Sequence, residues 1–207
     1  MRSVQVTALD GPAGVSVQDV PDITAQDGQV LVEVKALGIS WPDLLQTKGE
    51  YQIKPELPFQ LGVDFAGVVR SAPEASGLAE GQRVACCLPY GGGADLVSIH
   101  PESVFPLPDR YSFEQGAALP MNYLTAEFAL GTRGALGDGD TLLVTGAAGG
   151  VGSIAIAILA KLGYRVTAST GRPISSSTPS RISMARRCQL GRLATSNHHR
   201  YLKHWLP

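Results

Sequence analysis

The sequence predicts an α/β chain whose amino-terminal part is β-rich and whose second part is an incomplete β-α-β nucleotide-binding unit. Three observations carry this. Residues 1 to about 110 hold many short β-branched runs separated by Gly and Pro. Residues 141–170 read TLLVTGAAGGVGSIAIAILAKLGYRVTAST, two short apolar runs flanking a glycine-rich turn and a longer apolar run. Beyond residue 170 the composition changes abruptly, so the unit is expected to stop there.

Taken in order, the strand candidates are residues 4–9, 15–20 and 29–38, the last alternating at Val30, Val32 and Val34. Residues 65–71, 82–88, 94–99 and 104–107 follow. Many short strands with turn residues between them predict a compact β-barrel or sandwich. Trp41-Pro42-Asp43 opens a short helix to Thr47, with proline at an early position. Ser112-Phe113-Glu114-Gln115 has the form of a capping box, and Pro120 opens a longer helix from Met121 to about Ala135.

Asp138-Gly139-Asp140 turns the chain into residues 141–145, which suit a strand buried on both faces. Residues 151–162 are apolar but for Lys161 and a few small residues, and Gly163 stands where a helix C-terminus favours it. They predict a helix buried on most sides. Residues 165–170 form the second strand.

Between first strand and helix, Ala147, Gly149 and Gly152 occupy the three positions of a G-x-G-x-x-G pattern. The first position makes the tight turn, the second lets backbone approach a pyrophosphate, and the third lets helix pack on strand. Ala147, Ala148, Gly149, Gly150, Val151 and Gly152 are therefore the candidate cofactor loop, with the helix dipole facing the phosphates. A purely structural turn would read the same way. An NAD site places an acid about 20 residues after the glycines. Here Ser169, Thr170 and Arg172 stand there instead, hydroxyls and a guanidinium that suit a 2′-phosphate and so favour NADP, although Arg172 also fits a solvated loop arginine.

At 207 residues and 44% hydrophobic content the chain can bury a sizeable core. Its start does not read as a secretory signal, and no apolar run reaches the roughly 18 residues of a membrane span. Adjacent Cys86 and Cys87 with a remote Cys188 offer neither a disulfide framework nor a zinc pair, so a reducing cytoplasm is the expected location. One of the two adjacent cysteines should face the core and the other the opposite side. His100, beside Pro101, reads as a turn residue.

At this point the pieces VLVEVKALGISWPDLLQTKGEY, LPFQLGVDFAGVV, GQRVACCLPYGGGADLV, GAALPMNYLTAEFAL and AAGGVG occur in one order. Together they resemble the quinone oxidoreductase and zeta-crystallin branch of the medium-chain dehydrogenase/reductase superfamily, over residues 4–172. The resemblance implies a GroES-like domain over residues 1–120 and a partial Rossmann domain over 121–172. It also implies an active site in the cleft between them and hydride transfer from NADPH to a quinone or other conjugated carbonyl. An enoyl reductase is the alternative within the class.

By the same resemblance Ser40 stands where quinone reductases often carry asparagine near the nicotinamide, Tyr51 lines the substrate cleft, Asp64 lies behind the active site, and Thr125 lies near the nicotinamide ring. Each has a structural reading too: Ser40 as helix cap, Tyr51 as loop aromatic, Asp64 as buried structural carboxylate, Thr125 as a residue on a packed helix. Zinc-dependent members place a cysteine where this chain has Ser40 or Trp41, and a histidine at Val63. No metal is expected, because neither residue can hold zinc.

Residues 1–170 carry ten Lys or Arg against eighteen Asp or Glu, a balance of −8, whereas residues 171–207 carry seven basic residues and no acid. This Ser-rich basic stretch reads as a frameshifted ending, a natural basic tail or a true alternative ending. The frameshift is favoured because the break falls inside a folding unit. A basic tail would imply nucleic acid or anionic lipid as partner, but its charge runs are short and scattered, so neither nucleic acid nor membrane is expected. A catalytically inactive fragment that at most binds nucleotide is the competing functional reading. Family members often dimerise through the Rossmann sheet edge, and the strand responsible would lie beyond residue 172, so that route is not expected here.

Overall fold

The computed structural model describes residues 1–170; Arg172 and the basic stretch 173–207 lie outside the described residues. Among the described residues the chain separates into two compact units, one of residues 1–121 and one beginning at Asn122.

The first unit is built almost wholly of antiparallel strands. In chain order they are β1 (Arg2–Val6), β2 (Val15–Asp19), β3 (Val30–Gly38), then helix α1 (Trp41–Thr47), β4 (Phe59–Gln60), β5 (Asp64–Ser71), β6 (Arg83–Cys87), β7 (Leu96–Ile99), β8 (Val104–Pro106) and helix α2 (Phe113–Ala117). One sheet has the order β7-β3-β5-β6-β8 and the other β2-β1-β4. A bridge between Ser3 and Ala94 joins the two. The β-rich architecture expected from the short runs is what the chain forms.

Alternation in β3 places Val30 and Val32 in the core, where Phe65, Val69, Val84, Cys86, Val97 and Ile99 meet them. Burying these side chains is the main drive to close the unit. Cys86 is in this core and its neighbour Cys87 is half-buried, as the period of a strand requires. The first strand begins earlier than expected and ends at Val6, because its register with β2 runs from Arg2↔Asp19 to Val6↔Val15. Phe59–Gln60 was not anticipated as a strand. Two residues give no periodicity, and pairing with Gln5 and Val6 defines them.

The second unit contains the latter part of α3 (Pro120–Glu127), then β9 (Thr141–Thr145), α4 (Gly150–Lys161) and β10 (Arg165–Ser169). Strands β9 and β10 pair in parallel with Thr141 opposite Arg165 and Thr145 opposite Ser169, so the β-α-β unit forms. Helix α3 does not run on as an α-helix to Ala135. From Phe128 to Arg133 it widens into a π-turn, with the Gly134 N–H reaching the Ala129 carbonyl at 2.7 Å. Gly131 and Gly134 weaken α-helical order there, and Ala135 leaves the helical region at φ 45°.

The expectation of a strand covered on both faces and a helix buried on most sides is corrected. Leu143 in β9 is 54% exposed, Leu162 after α4 is 55% exposed, and of α4 only Ala155, Ile158 and Leu159 are buried. Among the described residues the sheet has two strands, too few to cover either element all round. No helix among them is long and apolar enough to cross a membrane.

Candidate functional site

The candidate residues gather in two places, one in each unit. In the second unit the turn after β9 is made by Gly146 at φ 65°, a conformation that side chains disfavour. Its carbonyl accepts the Gly149 N–H at 2.9 Å, and the Ala147 N–H donates to the Ser169 carbonyl at 3.0 Å. Thus the loop is tied to the end of β10. Ala147 is buried, while Ala148, Gly149 and Gly150 are exposed.

Gly149 is the N-cap of α4, so Gly150, Val151 and Gly152 follow as its first turn. Such N–H groups lack an intrahelical acceptor and carry the positive end of the helix dipole. The helix thus starts one residue before the Val151 expected. A Cβ on Gly152 would stand 2.4 Å from the Gly146 carbonyl oxygen and 3.0 Å from Ala147 Cα, so this glycine is required by packing. A Cβ on Gly149 would meet only the Gly146 oxygen, at 3.2 Å. The loop therefore offers an open cradle of donors, and Ser169 and Thr170 are exposed at the end of β10 beside it. The residues fit a pyrophosphate.

Thr125 is on α3 with its side chain exposed. The helix that carries it packs through the next residue, Ala126, which meets Ala155 and Ile158 of α4.

In the first unit a buried carboxylate organises the site, and it is Asp43. One of its oxygens accepts the Ser40 N–H at 2.8 Å and the Ser40 hydroxyl at 3.0 Å; the other accepts the Val63 N–H at 3.1 Å. Asp43 is fully buried. It holds the N-terminus of α1 against the bend at Val63, just before β5. Ser40 is the N-cap of α1, and its hydroxyl donates to Asp43.

Asp64 opens β5 and is 2% exposed. Its Oδ1 accepts the Met121 N–H at 3.0 Å, and the Cys87 thiol donates to it. Burial pushes the Asp64 carboxyl up to about 7; its two hydrogen bonds pull the other way, and nearby Asp43 adds to the rise. Burial first, and the Asp64 charge second, push the Cys87 thiol up to about 12. Cys87 is thus a thiol donor and not a thiolate nucleophile. Tyr51 lies half-buried in the bend after α1, and its hydroxyl makes no hydrogen bond among the described residues.

The raised Asp64 value makes stability depend on pH. Between the unfolded carboxyl value, about 4, and the folded value of about 7, the folded state holds the extra proton, so stability falls as pH rises through that window and levels off above it. Urea denaturation at pH 5 and pH 8 should show the chain more stable at pH 5. Asp64→Asn, which keeps the Oδ1 acceptor and never ionises, should remove most of that difference.

Comparison with known proteins bears on both places. Residues 26–109 match the family described as the alcohol dehydrogenase GroES-like domain. Over 174 residues the chain is 35% identical to the quinone oxidoreductase of Mus musculus, covering 83% of this chain and 53% of that protein. The chain is thus similar to quinone oxidoreductases over most of its described length.

Solved structures of similar proteins superpose well. A probable oxidoreductase from Mycobacterium abscessus has a TM-score of 0.76 at 45% identity, covering 83% of this chain and 56% of that one. The quinone oxidoreductase from Thermus thermophilus, solved also as its complex with NADPH, has a TM-score of 0.73 at 34% identity, covering 84% of this chain and 54% of that one. The chain spans about half the length of the curated relatives it matches.

The residues of these two places that the sequence does not signal are Asp43, Cys87 and Asn122. Asp43 was read only as part of a helix opener, since its partner Val63 is twenty residues away. For Cys87 the strand period indicates only a side opposite to that of Cys86, and its contact with Asp64 leaves no local signal. Asn122 lies against Gly150 and had no signal beyond its place in the segment before Thr125. Among the described residues no group of three or more His, Cys, Asp or Glu side chains is placed to hold a metal ion.

Proposed function

We propose that the chain is part of an NADP(H)-dependent oxidoreductase that passes hydride to a quinone or a similar conjugated carbonyl without zinc. The observation that carries this reading is the glycine turn: an open cradle of helix-first-turn N–H groups, held by Gly146 and Gly152 and followed by hydroxyls instead of an acid at the end of β10. The N–H groups of Gly150, Val151 and Gly152 would hold the pyrophosphate, and Ser169, Thr170 and Arg172 the 2′-phosphate. NADPH, when bound, supplies the hydride.

The rest is work for the chain's own residues. Ser40 and Tyr51 are the polar groups proposed to orient the acceptor, and Thr125 the nicotinamide. Asp64, kept from ionising below about pH 7 by burial, would hold its proton behind the site. A quinone is electrophilic enough to accept hydride with hydrogen-bond support alone. The domains are proposed to divide as 1–120 for the acceptor and 121–172 for the cofactor, and the acceptor is a small molecule.

Quinone-dependent oxidation of NADPH, followed by loss of the reduced-nicotinamide absorbance, tests this. The expected result is turnover with a p-quinone that survives prior treatment with a metal chelator. Turnover that a chelator abolishes and zinc restores would contradict the zinc-free reading; a folded chain that oxidises NADPH with neither quinones nor enones would contradict the assignment of acceptor.

A further inference from the structure

The glycines of the cofactor turn do separate jobs, and one job is set by a residue outside the motif. Gly146 turns the chain, Gly149 is open, and Gly152 packs on the turn backbone. Gly150 is different: a Cβ there would stand 2.5 Å from Asn122 Oδ1 and 2.8 Å from both Cγ and Nδ2. All three atoms lie that near, so the amide rests against the Gly150 Cα. Asn122 is one helical turn before Ala126, and Ala126 packs on Ala155 and Ile158 of α4. The packed stripe of α3 thus ends in a polar amide at the positive end of α4.

We propose that Asn122 is a positioning residue of the cofactor loop: its amide seats against Gly150 and fixes the first turn of α4, and residue 150 is glycine to admit that amide. The inference rests on the reading that this loop binds a dinucleotide. A larger residue at 150 would push the amide away, and loss of the amide would free the turn. Placing the two residues in contact makes their effects interdependent.

The test is titration of the chain and its variants with NADPH, alongside thermal unfolding. Asn122→Asp keeps the shape of the amide and places a negative charge at the helix N-terminus, which the dipole favours. It should therefore leave the unfolding midpoint unchanged or raised, yet weaken NADPH about 10-fold or more through repulsion of the pyrophosphate. Asn122→Ala and Gly150→Ala should each weaken binding about 10-fold, and the double variant no more than either alone. Unchanged affinity in Asn122→Asp, or additive losses of about 100-fold in the double variant, would overturn the inference while leaving the dinucleotide reading intact. Wild-type protein that binds no NADPH would overturn both.

Discussion

A Gly149→Val chain should fold and fail to bind NADPH, while a Gly152→Val chain should lose both stability and binding. Gly149 has extended backbone, φ −80° and ψ 168°, which any residue adopts, and a Cβ there meets one atom at 3.2 Å. Its valine side chain would stand in the open cradle, where the proposed pyrophosphate must approach. Affinity should drop about 100-fold or more, which corresponds to roughly 3 kcal/mol, with thermal stability close to wild type. Gly152 faces backbone atoms of Gly146 and Ala147, which cannot rotate out of the way. Overpacking there should destabilise the second unit by about 1–3 kcal/mol. If both variants lost stability alike, the open cradle at Gly149 would not exist as described.

Asp43→Ala should be the most destabilising single change in the first unit. The substitution strands two backbone N–H groups, at Ser40 and the buried Val63, along with the Ser40 hydroxyl. An unsatisfied buried donor costs about 1–3 kcal/mol, so the total is about 3 kcal/mol or more. Asp43→Asn should not rescue it, because one of the two oxygens becomes an amide donor facing another donor. Urea unfolding of the three proteins measures this. A loss below about 1 kcal/mol for Asp43→Ala would show that these N–H groups find other partners.

The glycine turn was legible in the sequence and the Asp43 site was not, for physical reasons. The β-α-β unit was readable because Thr141–Thr145, the glycine cluster, Gly163 at φ 80° and Arg165–Ser169 each carry a local signal in the right order. Ser112 capping α2 and Ser40 at the start of α1 were readable for the same reason. Burial was not, since it depends on how many strands stand beside β9; Leu143 and Leu162 are apolar and yet exposed. The tie from Asp43 to Val63 was hidden because it joins residues twenty apart, although the Ser40 contacts beside it are local. So was the Asp64 contact with Met121, a separation of 57. Long-range polar pairings leave no periodic trace.

The geometry of the glycine loop makes cofactor choice the central claim. The most direct measurement is a fluorescence titration of the protein with NADPH and, in parallel, with NADH. Saturable binding of NADPH, at least about 10-fold tighter than NADH, is the predicted result, because hydroxyls stand where an acid would hold an unphosphorylated ribose. Equal or tighter binding of NADH, or no binding of either by the folded protein, would contradict the account.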